Sequence, residues 1–482
     1  MTGGYLDAAA GLPWHPVAVE ALQAALADGW ADPHRLTGPG RRGAVLLDAA
    51  RAAVAAEFDI QPDELIFLPS GAHALHHAVL GSLAGRHRAG RLLVHSAVEH
   101  SAVFKAAGWH AGHNGTVCVV PVDGAGRVDP DAFLAAARAP GVATAVLQAA
   151  NHEVGTRQPV AEVAAGLTGS ANRVGPINHA GSTNQAGVPL VVDASHELVY
   201  GQPPPAPIFT ADARLWGGPA GVGLLVVRRG TRWQPPFPVD ETEAGRGLGP
   251  PNVPVLVAAA AALRATRAGR AAQAAQLADY VEQLRRRVPQ LVPDVALLGP
   301  DSPADRLPHL LTLSCLYVEG EALLTELDRR GFAVSSGSSC TSDSLVPSHV
   351  LVAMGALSSG NIRISLHPGI EQQDIDRFLA VLPAAVAEVR AANPRSQPMT
   401  TAESAGSPAA AQIPVLDSRG RRCPLPILDL ARALPEVAVG GELVLLADDP
   451  AAASDVAAWC RMTGQQLVEC DDLGRFRVRR LR

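Results

Sequence analysis

Along the first 390 residues, segments with apolar side chains at helical spacing alternate with short β-branched runs. That alternation predicts an α/β unit built on a largely parallel sheet. Residues 16–30 (PVAVEALQAALADGW) and 44–58 (AVLLDAARAAVAAEF) carry the helical pattern. Residues 64–69, 91–96, 116–122, 143–150, 189–195 and 221–229 read as strands, several of them unbroken apolar runs such as a sheet covered on both faces requires. A long helical stretch over 253–288 follows, and residues 309–318, 321–331, 332–340 and 361–366 predict a smaller α/β unit packed behind the first.

The pattern lapses near residue 390. Residues 391–412 are rich in Ala, Ser and Pro without apolar periodicity, which predicts a linker. Residues 413–482 then read as strand, helix, strand, helix, strand, strand, the order of a compact two-layer α/β sandwich. The expected organisation is a first part over 1–390, with a large domain at about 15–255 and a small domain formed by the N-terminal segment plus about 256–390, then the linker and the third unit.

Composition narrows the function classes. The chain is 48% hydrophobic and 18% charged with a formal net charge of -6, which gives no reason to expect direct nucleic-acid binding. Nothing approaches the roughly 18 uninterrupted apolar residues of a membrane span, and the N-terminus lacks the pattern of a signal peptide, so a cytoplasmic protein without membrane insertion is expected. The six cysteines are too dispersed for a disulfide framework, and none stands in a CxxC pair, so no metal site is expected. His73, His76 and His77 have helical spacing that suits helix packing. Lys105 is the only lysine.

Two cysteines stand in contexts that suit sulfur chemistry. Cys340 lies in the Gly/Ser-rich run SSGSSCTS, which would let a thiol swing between partners. Cys423 lies in RRCPLP, where prolines restrict the backbone at the entry to the helical segment ILDLARAL. A helix N-terminus together with Arg421 and Arg422 predicts a thiolate-favouring environment for Cys423.

The third unit, with LDSRGRRCPLP and GELVLLADDPAAASDVAAWC, resembles the TusA-like (SirA-like) sulfur carriers, which implies that Cys423 accepts sulfur as a persulfide and passes it on. The first part resembles the cysteine desulfurases of the class V aminotransferase group. YLDAAAG, LIFLPSGAHALHHAVLGSL, VEHSAV, ANHEVGTRQPV, VVDASHELV, GGPAGVGLLVVRR, SSGSSCTSDSLVPSHVLVAMG and GNIRISL carry that resemblance. It implies a fold-type-I domain pair, pyridoxal 5'-phosphate as cofactor, L-cysteine or a persulfide donor as sulfur source, a downstream sulfur-acceptor protein and a homodimer.

Residue by residue, the resemblance makes Asp193 the pyridinium partner, His100 the ring stacked on the cofactor, Arg363 the grip on the substrate carboxylate and Cys340 the persulfide-forming cysteine. It places Asn151 and His152 at the cofactor phenol and His196 at a further cofactor contact. Around the phosphate it places His73, Asp212 and Asn252 where hydroxyl residues are expected, with Arg214 able to offset the charge of Asp212. Counting back from Pro219 puts Leu215 at the lysine that would hold the cofactor as an imine, and leucine cannot form one. Two alternatives follow. Either sulfur is mobilised from cysteine and relayed from Cys340 to Cys423, or the first part lacks desulfurase activity and serves as a relay or docking scaffold for the carrier.

Overall fold

The computed structural model describes residues 4–169, 187–336, 347–392, 413–471 and 473–482. Among the described residues the first unit holds a seven-stranded sheet. Its strands are β1 (Leu65–Leu68), β2 (Leu92–Ser96), β3 (Thr116–Val120), β4 (Val142–Val146), β5 (Leu190–Asp193), β6 (Ile208–Asp212) and β7 (Gly223–Val227), in the order β1-β7-β6-β5-β4-β2-β3. Only β7 runs against its neighbours, pairing antiparallel with both β1 and β6.

The strands inside the sheet are mostly apolar because both of its faces are covered, whereas the edge strand β3 is partly exposed. In β1, Leu65 and Phe67 enter a core shared with the helices Gly38–Phe58 and Val253–Ala268. Ile66 and Leu68 enter a second core under the helices Gly71–Gly85 and Ser101–Gly112. This alternation is the period-two pattern of a strand buried on both sides.

A second, antiparallel sheet follows the order β10-β9-β8, from β8 (Val295–Leu298), β9 (Leu310–Cys315) and β10 (Asn361–Ser365). The helices Arg270–Leu291, Gly320–Arg329 and Gln372–Ala392 cover it and share its core with Leu6 from the N-terminal segment. The stretch 253–288, predicted as one helical run, is divided at Gly269, which ends one helix and begins the next. The expected large-to-small division near 255 falls at the start of the Val253–Ala268 helix. Val253, Leu256 and Leu263 of that helix lie in the large-unit core, and the small-unit core begins with Leu277.

The third unit is a four-stranded sheet of β11 (Val415–Asp417), β12 (Glu442–Leu446), β13 (Gln466–Cys470) and β14 (Arg475–Arg479), ordered β11-β12-β14-β13. The helices Leu425–Ala433 and Ala452–Thr463 pack on it. Its core does not stop at the unit's own residues, because Leu316 and Leu357 of the small unit belong to the same apolar cluster. Among the described residues no helix is long and apolar enough to cross a membrane.

Candidate active site and carrier cysteine

In an open α/β sheet, ligand-handling groups collect at the carboxyl ends of the parallel strands, where the chain leaves the sheet and side chains can converge. Most of the residues singled out by sequence lie there. His100 follows β2, Asn151 and His152 follow β4, Asp193 ends β5 with His196 just beyond, and Asp212, Arg214 and Leu215 follow one another from the end of β6.

His100 caps the Ser101–Gly112 helix, its Nδ1 accepting from the Ala102 amide at 3.1 Å. Its ring centroid is 5.2 Å from that of His152, and the His152 ring is 5.8 Å from His196, so three histidines form one wall. Burial holds His152 and His196 far below the usual imidazole range, with neighbouring histidines and Arg363 adding to the effect, so both rings are neutral. Asp193 is buried and accepts from the Ser195 amide at 3.1 Å and the Ser195 hydroxyl at 2.6 Å. Asn151 has its amide engaged by the backbone: Nδ2 donates to the Val98 carbonyl at 3.0 Å, and Oδ1 accepts from Glu153 and Val154 at 2.8 and 2.9 Å. Arg363 is buried, donating to Asp7 at 2.7 Å and to the His152 carbonyl at 3.0 Å.

The end of β6 has a different character. Leu215 is 7% exposed and lines a small void with His196, His309 and Tyr200. The Asp212 carboxylate accepts from the Gly71 amide, the first of the Gly71–Gly85 helix, at 3.1 Å. Arg214 folds back on the same carboxylate, with Nε and a terminal nitrogen each 3.1 Å from its oxygens. His73 is exposed and stacks on His77 at 4.4 Å rather than turning to Asp212. Lys105 is exposed on the Ser101–Gly112 helix. Cys340 lies outside the described residues.

Two buried acids went unremarked in the sequence although they sit inside motifs quoted for other residues. Glu99 in VEHSAV accepts from Ser96 at 2.6 Å and from the Gln148 amide at 3.1 Å, and Glu153 in ANHEVG accepts from Ser348 at 2.5 Å. Burial pushes each carboxyl up to about 7. Their position beside a histidine in each motif was the available signal.

The surroundings of Cys423 overturn the expectation of a thiolate-favouring site. Arg421 and Arg422 are exposed, and Arg421 pairs with Asp429 at 3.0 Å. The half-buried thiol instead meets two carboxylates. Burial raises it far above the ordinary cysteine range, and Asp455 and Asp449 raise it further, with Asp449 also accepting from the Cys423 amide at 3.3 Å. Cys423 is therefore held as a thiol.

The carrier unit is seated on the small unit. The Ser358 amide and hydroxyl donate to Asp455 at 2.7 and 2.9 Å, the Trp459 indole donates to the Tyr317 hydroxyl at 3.1 Å, and Arg461 donates to the Gly355 carbonyl.

The aminotransferase class-V family pattern matches residues 4–378. The chain belongs to the class-V aminotransferase family. The sulfurtransferase TusA pattern matches residues 415–480. A cysteine desulfurase of Cereibacter sphaeroides is 35% identical over 396 residues, covering 81% of this chain and 97% of that protein. A cysteine desulfurase IscS of Dictyoglomus turgidum is 30% identical over 397 residues, covering 82% and 97%. A solved NifS-like protein, 23% identical, superposes with a TM-score of 0.70 over 80% of this chain and 99% of its own, which shows the same fold. Cysteine desulfurase relatives and a TusA unit on one chain support sulfur mobilisation and transfer.

The family is dependent on pyridoxal phosphate. Of the residues that the resemblance assigns to the cofactor ring, Asp193 and the three histidines stand together at the strand ends and would fit a pyridine ring there. The anchor does not fit: Leu215 offers no amine, and at the phosphate end the helix amide of Gly71 already holds the Asp212 carboxylate.

Two outcomes test this electrostatic picture. Glu153 in the folded chain keeps its proton to about 7, whereas an ordinary glutamate loses it near 4.5. Its stabilising share is complete below the lower value and is lost as pH rises through the higher one. Glu153→Gln, which keeps a neutral hydrogen-bonding side chain, is expected to lose less melting temperature than the unmodified protein between about pH 5 and about pH 8 in paired thermal melts. At Cys423, Asp449→Asn removes one of the two opposing charges. Alkylation of Cys423 at about pH 8, followed by peptide mass spectrometry, is expected to speed up by several-fold to about ten-fold, the factor that one pKa unit supplies.

Proposed function

We propose that the chain is a sulfur relay, passing persulfide sulfur from Cys340 to Cys423 and on to an acceptor protein, with no lyase step on free cysteine. The observation that carries this proposal is the seat of the carrier unit. It rests on residues 355–358, next to the short helix His349–Ala353 that follows the stretch containing Cys340. The carrier is thus seated on the unit whose sequence carries Cys340, and covalent attachment on one chain gives Cys423 a high effective concentration there.

The transfer is redox-neutral. Cys423 sulfur attacks the outer sulfur of a Cys340 persulfide, the old sulfur–sulfur bond breaks, and Cys340 leaves as a thiolate that takes up the proton Cys423 gives away. Leu215 and the paired Gly71 amide support the absence of a lyase step, because leucine can neither anchor the cofactor as an imine nor shuttle the proton that a lysine would, and substrate cysteine, which brings its own amine, replaces neither. The sulfur source is then a persulfide donor, with L-cysteine the more distant origin. As parts of the same proposal, the chain acts as a homodimer in the cytoplasm.

The protein is incubated with pyridoxal phosphate and cysteine, and alanine is measured; no imine absorbance and no alanine are expected. Sustained alanine release sinks the lyase-free proposal. Separately, a labelled low-molecular-weight persulfide is supplied and sulfur is located by peptide mass spectrometry. Cys340→Ser is expected to cut labelling of Cys423 more than about ten-fold, about 1.4 kcal/mol in rate, and Cys423→Ser to leave label on Cys340. Equal labelling of Cys423 with and without Cys340 overturns the relay.

A further inference from the structure

The contact between carrier and small unit is built from several elements at once. Asp455, Trp459 and Arg461 all come from the helix Ala452–Thr463, and the first two lie four residues apart on one face. Asp455 and Trp459 are buried, at 0% and 3% exposure. Beneath their polar contacts Leu316 and Leu357 join Ile427, Val456, Trp459 and Cys460 in one apolar cluster, against which Cys423 itself packs. A surface contact between unrelated neighbours would not share a core.

The receiving face is shaped for this contact. Tyr317, which accepts from Trp459, has φ 65, a left-handed conformation that a side chain disfavours and that persists only where its surroundings fix it. Gly360 turns the chain behind Ser358 with φ 65, and a Cβ there would lie 2.3 Å from the Cys315 carbonyl oxygen. Backbone strain, a tight glycine turn and an apolar floor thus meet on one patch.

Asp455 joins the two functions of the patch. One oxygen takes both Ser358 donors, and the Cys423 thiol lies against the same carboxylate. We infer that residues 316–317 and 355–361 form a dedicated seat for the carrier unit of this chain, with Asp455 as its latch. While Asp455 is held on Ser358 the seat closes Cys423 to outside partners, and the unit leaves the seat to hand sulfur on. The inference rests on these contacts and holds whatever supplies the sulfur.

Peptide-resolved alkylation of the full chain at fixed pH tests it without any sulfur transfer. Ser358→Asp sets a like charge against Asp455 and is expected to unseat the unit, raising the labelling rate of Cys423 at least ten-fold. Arg461→Ala, which deletes only the Gly355 contact, gives a smaller rise in the same direction. Exposed Cys470 on β13 serves as the internal standard and keeps its rate. Cys460 lies in the apolar cluster shared with the seat, so hydrogen exchange at the amides of β12 and β14, in the carrier sheet, reports whether the unit itself has unfolded, and it is expected to stay slow. Unchanged Cys423 labelling in both variants, or a rise in Cys423 labelling only together with fast exchange in β12 and β14, overturns the seat.

Discussion

The carboxylate of Asp212 on the first amide of the Gly71–Gly85 helix is the contact on which the first unit turns. A helix N-terminus presents unpaired amides and a partial positive charge, and it is stabilised by an anion. That anion can be a ligand or a side chain. Here it comes from the end of β6, and Arg214 folds over it to balance the charge. Position 71 must be glycine for this approach, since a Cβ there would stand 2.7 Å from the Asp212 Cβ. One ion cluster therefore fixes a strand end and a helix start, and takes up a helix amide that would otherwise be open to an anion.

From that point the rest of the site follows the sheet. β2, β4, β5 and β6 release their chains side by side, so residues distant in sequence form one surface. Within the wall, His152 and His196 are neutral because burial disfavours an imidazolium and the neighbouring histidines and Arg363 disfavour it further. Arg363 reaches the wall through the His152 carbonyl and is balanced by Asp7, which ties the N-terminal segment and β10 to the large unit. Polar groups at the strand ends are thus mostly paired with each other.

Much of this was legible in sequence, and the limits have a physical cause. The strands could be read because burial on both faces demands unbroken apolar runs, and a count back from the Gly-Pro turn pointed to Leu215, which lies buried beside His196. The break at Gly269 was not legible, since the apolar spacing continues across it and only the glycine marks it. Contacts between distant positions were invisible for a deeper reason. Asp212 and Gly71 are 141 residues apart, and nothing local announces that one will cap the other. Local reasoning failed outright at Cys423, where the adjacent arginines suggested a positive setting. Side-chain direction sends Arg421 to Asp429, while Asp449 and Asp455 close on the sulfur from two segments farther along.

The two sites then share a principle, a carboxylate of the chain standing where an external partner would act. At β6 it takes up a helix amide that would otherwise be open to an anion. At Cys423 a pair of carboxylates suppresses the thiolate, which is the reactive form toward oxidants and stray electrophiles. Under this suppression the two states of a carrier ionise unequally. A persulfide is a stronger acid than the thiol from which it is made. Beside the same two carboxylates a loaded cysteine therefore ionises at lower pH than an empty one, by virtue of its own acidity. An acidic surround, unsuited to a simple nucleophile, suits a residue that when empty stays quiet toward stray electrophiles and attacks only a donor persulfide held next to it.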